Sequence, residues 1–63
     1  MEHIWQLSAY NAESIYVYGT EEKMRLYNDY LNKYRDVNLY EFEIVPENEI
    51  TDNIEYYAIN LME

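Results

Sequence analysis

Hydrophobic and polar residues alternate from Ile4 to Tyr10: Trp5, Leu7 and Ala9 fall on one side, and Gln6 and Ser8, with Ile4 and Tyr10, on the other. A period of two marks a half-buried strand, so residues 3–10 are read as the first strand. Asn11-Ala12-Glu13-Ser14 is a polar turn. Ser14-Ile15-Tyr16-Val17-Tyr18 is β-branched and aromatic, which predicts a second strand closing a hairpin. Ile15 and Val17 would face inward, and Tyr16 and Tyr18 outward.

The period changes after Gly19-Thr20. Met24, Tyr27, Leu31 and Tyr34 recur at helical spacing, and Tyr30 widens the stripe. Thr20 can cap the orphan N–H groups of the first turn. Glu21 and Glu22 then sit at the positive end of the helix dipole, with Lys33 and Arg35 at the negative end. Glu21–Arg25 and Asp29–Lys33 are i,i+4 pairs with the acid first, the better orientation. Residues 21–35 are therefore expected to be helical. Leu26 falls on the opposite face, among Glu22, Asp29 and Lys33; it is either a single exposed apolar residue or an interface contact.

Asp36-Val37-Asn38 ends this helix. From Leu39 to Val45, Tyr40, Phe42 and Ile44 alternate with Glu41 and Glu43, and Pro46 stops the strand. Residues 47–53 read as an acidic loop and 55–62 as a last strand, with Tyr57, Ile59 and Leu61 opposite Tyr56, Ala58 and Asn60. The expected fold is α+β: a small antiparallel sheet with one helix packed on one face, in the order ββαββ. The expected core is Trp5, Leu7, Ile15, Val17, Met24, Tyr27, Leu31, Tyr34, Phe42, Ile44, Ile59 and Leu61. One helix covers only one face, so the other would show Tyr and Glu to solvent or to a partner.

Sixty-three residues make a single domain, 1–63. A chain this short buries only about 60% of its unfolded surface. Without cysteine it has no disulfide or thiolate metal site as a staple, so it needs an efficient core or a second copy, and a homodimer is a possible partner. A hydrophobic content of 49% with nine tyrosines argues against disorder. No basic region precedes an apolar run and no stretch approaches 18 apolar residues, which leads us to expect a cytoplasmic chain.

Charge changes the picture most. The formal net charge is −9. Lys23, Arg25, Lys33 and Arg35 are the only cations, and Asp29 is the only acid between them; the other twelve acids lie outside that stretch. Such a field repels nucleic acid and anionic membranes and attracts basic surfaces. Large basic grooves belong mostly to proteins that hold DNA or RNA, so the expected partner is a basic, nucleic-acid-binding host protein.

Catalytic chemistry is sparse. His3 is the only histidine, and Ser8 and Ser14 are the only serines, so a nucleophile–base arrangement has few parts. Paired carboxylates need a deep, water-poor pocket to separate their protonation. Residues 47–53 lack the central glycine and ligand spacing of a calcium loop. Gly19 precedes a helix, but Glu21 and Glu22 would repel a phosphate there. No enzyme activity, cofactor or metal is expected.

Each glutamate alone reads as part of a solvated face that discourages edge pairing. Together they suggest more, because solubility is best served by mixed signs. Alternate strand residues repeat at about 6.8 Å, and duplex DNA carries one charge per strand every ~3.4 Å. Glu41 and Glu43 from one strand, with Glu13, Glu47, Glu49, Asp52 and Glu55 around them, could imitate a run of phosphates. Tyr16, Tyr18 and Tyr56 would supply rigid, amphipathic contact area.

Three short stretches add a resemblance. Ala9-Tyr10-Asn11 closes the first strand, an Ile/Val-rich second strand follows, and Glu55-Tyr56-Tyr57-Ala58-Ile59 stands near the end. The pattern resembles the N-terminal domain of the antirestriction proteins of plasmids and transposons, which are DNA mimics that block type I restriction enzymes. The chain departs from it at Tyr16-Val17-Tyr18, where that family has Gly and Trp. In size and acidity it is also similar to phage anti-CRISPR proteins. Glu13-Ser14-Ile15 is similar to the edge-strand motif of phage uracil-DNA glycosylase inhibitors, which would place Glu13 in an enzyme's DNA groove. These likenesses imply an inhibitor that occupies the nucleic-acid groove of a restriction enzyme or CRISPR effector, or alternatively of uracil-DNA glycosylase. The reading of another class is a protein-interaction module that binds through a Leu26 and tyrosine patch without DNA mimicry.

Overall fold

A computed structural model describes residues 1–63. The elements are β1 (His3–Ala9), β2 (Ile15–Gly19), α1 (Glu21–Tyr34), β3 (Leu39–Ile44), a 3-10 turn (Glu47–Glu49), α2 (Asp52–Tyr57) and β4 (Ile59–Asn60). The α+β class holds. The sheet has the order β3-β1-β2-β4 and is mixed: β1 is antiparallel to β2 and β3, whereas β4 runs parallel to β2.

The last strand is the main correction. Residues 52–57, part of which alternates well enough to be read as extended chain, form a short helix. Its start is chemically marked, since the Thr51 hydroxyl accepts from the Ile54 amide at 3.2 Å and Asp52 and Glu55 fall in the first turn. Thr51-Asp52 is a capping signal that the alternation of Tyr57, Ile59 and Leu61 obscured. Only Ile59 and Asn60 remain as strand.

Strand connectivity explains where this segment goes. The helix α1 carries the chain from β2 past β1 to β3, and residues 45–58 carry it back across the sheet to β4. Crossovers between parallel strands share one hand, so a return in the opposite direction runs over the opposite face. Accordingly, α1 packs Met24 and Leu31 against Trp5, Leu7 and Val17. On the other face, the return segment brings Ile50, Glu55 and Ala58 around Ile4 and Tyr18.

The core is therefore small. Leu7, Val17 and Met24 are fully enclosed, and Trp5 and Leu31 nearly so. Burial of the Trp5 indole is compatible with its polar edge because the N–H donates to the Gly19 carbonyl at 3.0 Å. Ile15, Tyr27, Phe42 and Leu61 of the expected core pack around this cluster. Tyr34, Ile44 and Ile59 do not join it and are exposed. Four strands about 4.8 Å apart span ~14 Å, wider than a helix of ~10 Å, so residues on the edge strands β3 and β4 lie beyond its cover. Val45 is buried but outside that cluster; it follows Ile44 on the opposite side of β3, under the return segment.

Local chemistry sets the ends of α1. The Thr20 hydroxyl accepts from the Lys23 amide at 3.2 Å, and Arg25 pairs with Glu21 at 3.0 Å. The expected Asp29–Lys33 pair does not form; the Lys33 ammonium lies 5.3 Å from the Tyr34 ring centre. Past the Arg35 cap, Asp36 adopts φ 54°. That left-handed position favours Gly or Asn, and a negative charge there opposes the helix dipole. Asp36→Gly is expected to stabilise the domain by about 0.5–1 kcal/mol, the relief of backbone strain exceeding the added unfolded-state freedom. A urea melt in which the midpoint falls would count against this account.

Candidate acidic interface

The face of the sheet away from α1 carries the sequence-predicted site. Pairing registers put its residues in cross-strand rows: Glu43–Gln6–Tyr16, then Ile4–Tyr18, with Glu41 opposite Ser8. Residues opposite one another share a face, so Glu41, Glu43, Tyr16 and Tyr18 stand together around a polar centre of Gln6 and Ser8. Gln6 donates to the Ser14 hydroxyl at 3.4 Å, which ties the middle of this face to the β1–β2 turn.

An irregularity enlarges the site. The β1–β3 register shifts between Ser8 and Ala9, leaving Tyr40 without a partner between Leu39 and Glu41. A bulge re-aims a side chain. Leu39 packs against the α1-side core, whereas Tyr40 leaves the Phe42–Ile44 side where strict alternation put it. Its ring meets Tyr10 with centroids 4.4 Å apart, and both are exposed. This aromatic pair at the end of the face was not among the expected site residues. A bulge has no reliable sequence signal, so strict alternation hid it.

The remaining acids fall into separate groups. Glu47 and Glu55, with Glu2, border an open cleft of about 380 Å³ over Ile4, Tyr18, Val45 and Ile50. Glu13 borders a second cleft of about 450 Å³, floored by Ile15, Tyr16, Ile54 and Tyr57. Residues of α2 thus line both clefts, with Glu55 at the first and Asn53, Ile54 and Tyr57 at the second. Glu49 and Asp52 are exposed at the junction of the 3-10 turn and α2 and line neither cleft. Tyr56 is exposed and meets Tyr57 edge-on at 5.0 Å. The expected contacts therefore do not make one continuous row. They form a β3 pair, a cleft group of Glu47 and Glu55, the exposed Glu49 and Asp52 outside both clefts, and the isolated Glu13.

Electrostatically the arrangement is one-sided. Glu21, Glu22, Asp29 and Asp36 balance the four cations within residues 20–36, so the whole −9 lies on the rest of the chain. Arg25–Glu21 is the only ion pair, and every other carboxylate lacks a cationic partner. No three acidic or histidine side chains converge as a metal-ligand cluster. No helix is long and apolar enough to cross a membrane. No family model, curated protein or solved structure matches the chain.

Proposed function

We propose that this chain is a DNA-mimic inhibitor that presents its acidic sheet face to the nucleic-acid groove of a host defence protein, a restriction enzyme or CRISPR effector being the leading target class. The observation that carries the reading is the segregation of charge: the open face and return segment hold carboxylates and tyrosines without any cation. Glu41 and Glu43 replace phosphates, while Tyr16, Tyr18, Tyr10 and Tyr40 supply stiff contact area of the kind enriched in hot spots. No covalent step is needed, because inhibition is occupancy. Association would be fast and salt-dependent, as steering between opposite fields is.

The target class is tested by passing bacterial lysate over the immobilised chain and eluting with salt. The reading requires a nucleic-acid-binding protein that duplex DNA displaces and that loses its own DNA binding when the chain is added. Uracil-DNA glycosylase among the eluted proteins would select the alternative target, in keeping with Glu13 beside its cleft. The competing reading, an interaction module without mimicry, rests on exposed Leu26. It predicts a partner indifferent to both salt and DNA, since screening removes the charge contribution and leaves the apolar one.

A further inference from the structure

β3 is an edge of the sheet, with β1 on one side and no strand on the other. The Val45 amide donates to the Ile4 carbonyl at 2.8 Å, so Val45 turns its backbone groups toward β1. Backbone direction alternates along an antiparallel strand. Glu43 and Glu41 therefore turn theirs toward β1 as well, opposite Gln6 and Ser8. Phe42 and Ile44 turn their N–H and C=O groups outward, to the side where no strand meets them. The two faces of this edge differ. Glu41 and Glu43 are exposed on the open face, and neither has a cationic partner. Phe42 and Ile44 stand on the α1 side, where Ile44 is 45% exposed beyond the reach of the helix. Arg25 lies 4.9 Å from the Phe42 ring centre but is already paired with Glu21. Asp29 shares a cleft with Leu39 at the start of the strand.

From this geometry we infer that the free edge of β3 accepts an extended segment of a basic partner as a fifth strand. The segment runs antiparallel, the more stable sense, and alternates lysine or arginine with apolar residues. The outward N–H and C=O groups of Phe42 and Ile44 supply the main-chain bonds, as when a peptide adds a strand to a sheet edge. Cations at alternate positions fall opposite Glu41 and Glu43. The apolar side chains between them fall opposite Phe42 and Ile44 and cover the exposed part of Ile44. Charge selects this occupant over a second copy. Two β3 strands paired antiparallel about a two-fold axis at Phe42 set Glu41 against Glu43 of the second copy. An axis at Glu41 or Glu43 sets that residue against itself. Like charges directly opposite one another are destabilising. The acids that guard this edge against copies of the chain thus favour a basic strand. The inference rests on the reading of Glu41 and Glu43 as contacts to a basic partner, and adds the form of that contact.

Fluorescence anisotropy of a labelled peptide of four lysine-valine repeats, titrated with the full chain at low salt, tests it. Methylating the valine backbone nitrogens, which face β3 in the antiparallel register, keeps the charge but removes the donors. It should weaken binding roughly tenfold, the loss of one or two hydrogen bonds. A peptide of four lysines followed by four valines has the same charge and should weaken by a similar factor. When the repeat peptide binds, amide hydrogen exchange should slow at Phe42 and Ile44. It should stay the same at Glu41 and Glu43, whose amides already face β1. Glu41→Lys with Glu43→Lys should reverse the preference, from the lysine-valine peptide to a glutamate-valine one. Equal binding of the three lysine peptides, unchanged exchange at Phe42 and Ile44, or a charge-reversed chain that does not prefer the glutamate peptide would overturn the proposal. Any of these results beside a recovered partner that DNA displaces would remove the edge contact alone and leave the inhibitor reading standing.

Discussion

Replacing Glu41 and Glu43 together by lysine is expected to weaken partner binding by about 2–3 kcal/mol, roughly 30- to 150-fold. Each exposed carboxylate facing a basic groove contributes up to ~1 kcal/mol, and a lysine in its place adds repulsion of similar size. The fold should be unaffected. Both side chains are exposed on an edge strand, opposite Ser8 and Gln6, and lysine is well suited to such edges. The loss should shrink as salt rises, because screening acts on the same contribution. Asp29→Lys with Glu63→Lys changes net charge equally while leaving the sheet face intact, so it should cost much less. Surface plasmon resonance against the recovered partner, over a range of salt, measures all of these. Equal losses in the two variants would mean that the partner senses total charge and not this face.

The second large effect is on stability. Asn11→Ala is expected to destabilise the domain by about 2 kcal/mol, which for a chain of this size lowers Tm by roughly 8–16 °C. The Asn11 amide donates to the Asp36 carbonyl at 2.8 Å, and its oxygen accepts from the Asn38 amide at 2.9 Å. Beside it, the Tyr10 amide donates to the Asn38 carbonyl at 3.0 Å. One side chain thus clasps the β1–β2 turn to the loop after α1, across 25–27 residues of sequence. A core of this size rarely supplies more than ~3–5 kcal/mol of net stability, so two lost hydrogen bonds are a large fraction of the total. Asn11→Asp separates the clasp from a simple turn preference. A carboxylate keeps the acceptor but would face the Asp36 carbonyl, so it should melt as low as alanine. A wild-type melt for Asn11→Asp would rule out the donor half of the clasp. The clasp also anchors the end of the sheet where Tyr10 and Tyr40 meet, so its loss should loosen that part of the open face first.

Asn11 also bears on the resemblance noted from sequence. Ala9-Tyr10-Asn11 was one of its three supports, and the structure gives the tripeptide a local purpose: Ala9 pairs with Leu39, Tyr10 packs against the tilted ring of Tyr40, and Asn11 clasps. A motif with that job can arise wherever a hairpin must be tied to a following loop. The charge distribution, not the short likeness, is therefore what supports the inhibitory reading.

What the sequence determined by itself is local. The β1–β2 hairpin and its inward residues followed from period-two alternation. The helix α1, its Thr20 cap and its Glu21–Arg25 pair followed from spacing and dipole chemistry, interactions that span four residues or fewer. The segregation of charge was also legible there, since formal charge needs no coordinates. Tertiary structure decided the rest, because each remaining feature depends on distant residues. Residues 52–60 had two local readings, and the need to return from β3 to β4 over the free face selected a short helix and a two-residue strand. Ile44 and Ile59 had core-like spacing, but one helix is narrower than four strands, and Tyr34 is the last residue of α1, at its exposed end. Tyr40 was turned onto the acidic face by a register shift that only pairing with β1 can create. The same crossover divided the expected run of acids into a β3 pair, a cleft group, the exposed Glu49 and Asp52, and a lone Glu13, because a chain crossing a sheet separates the residues on its two sides.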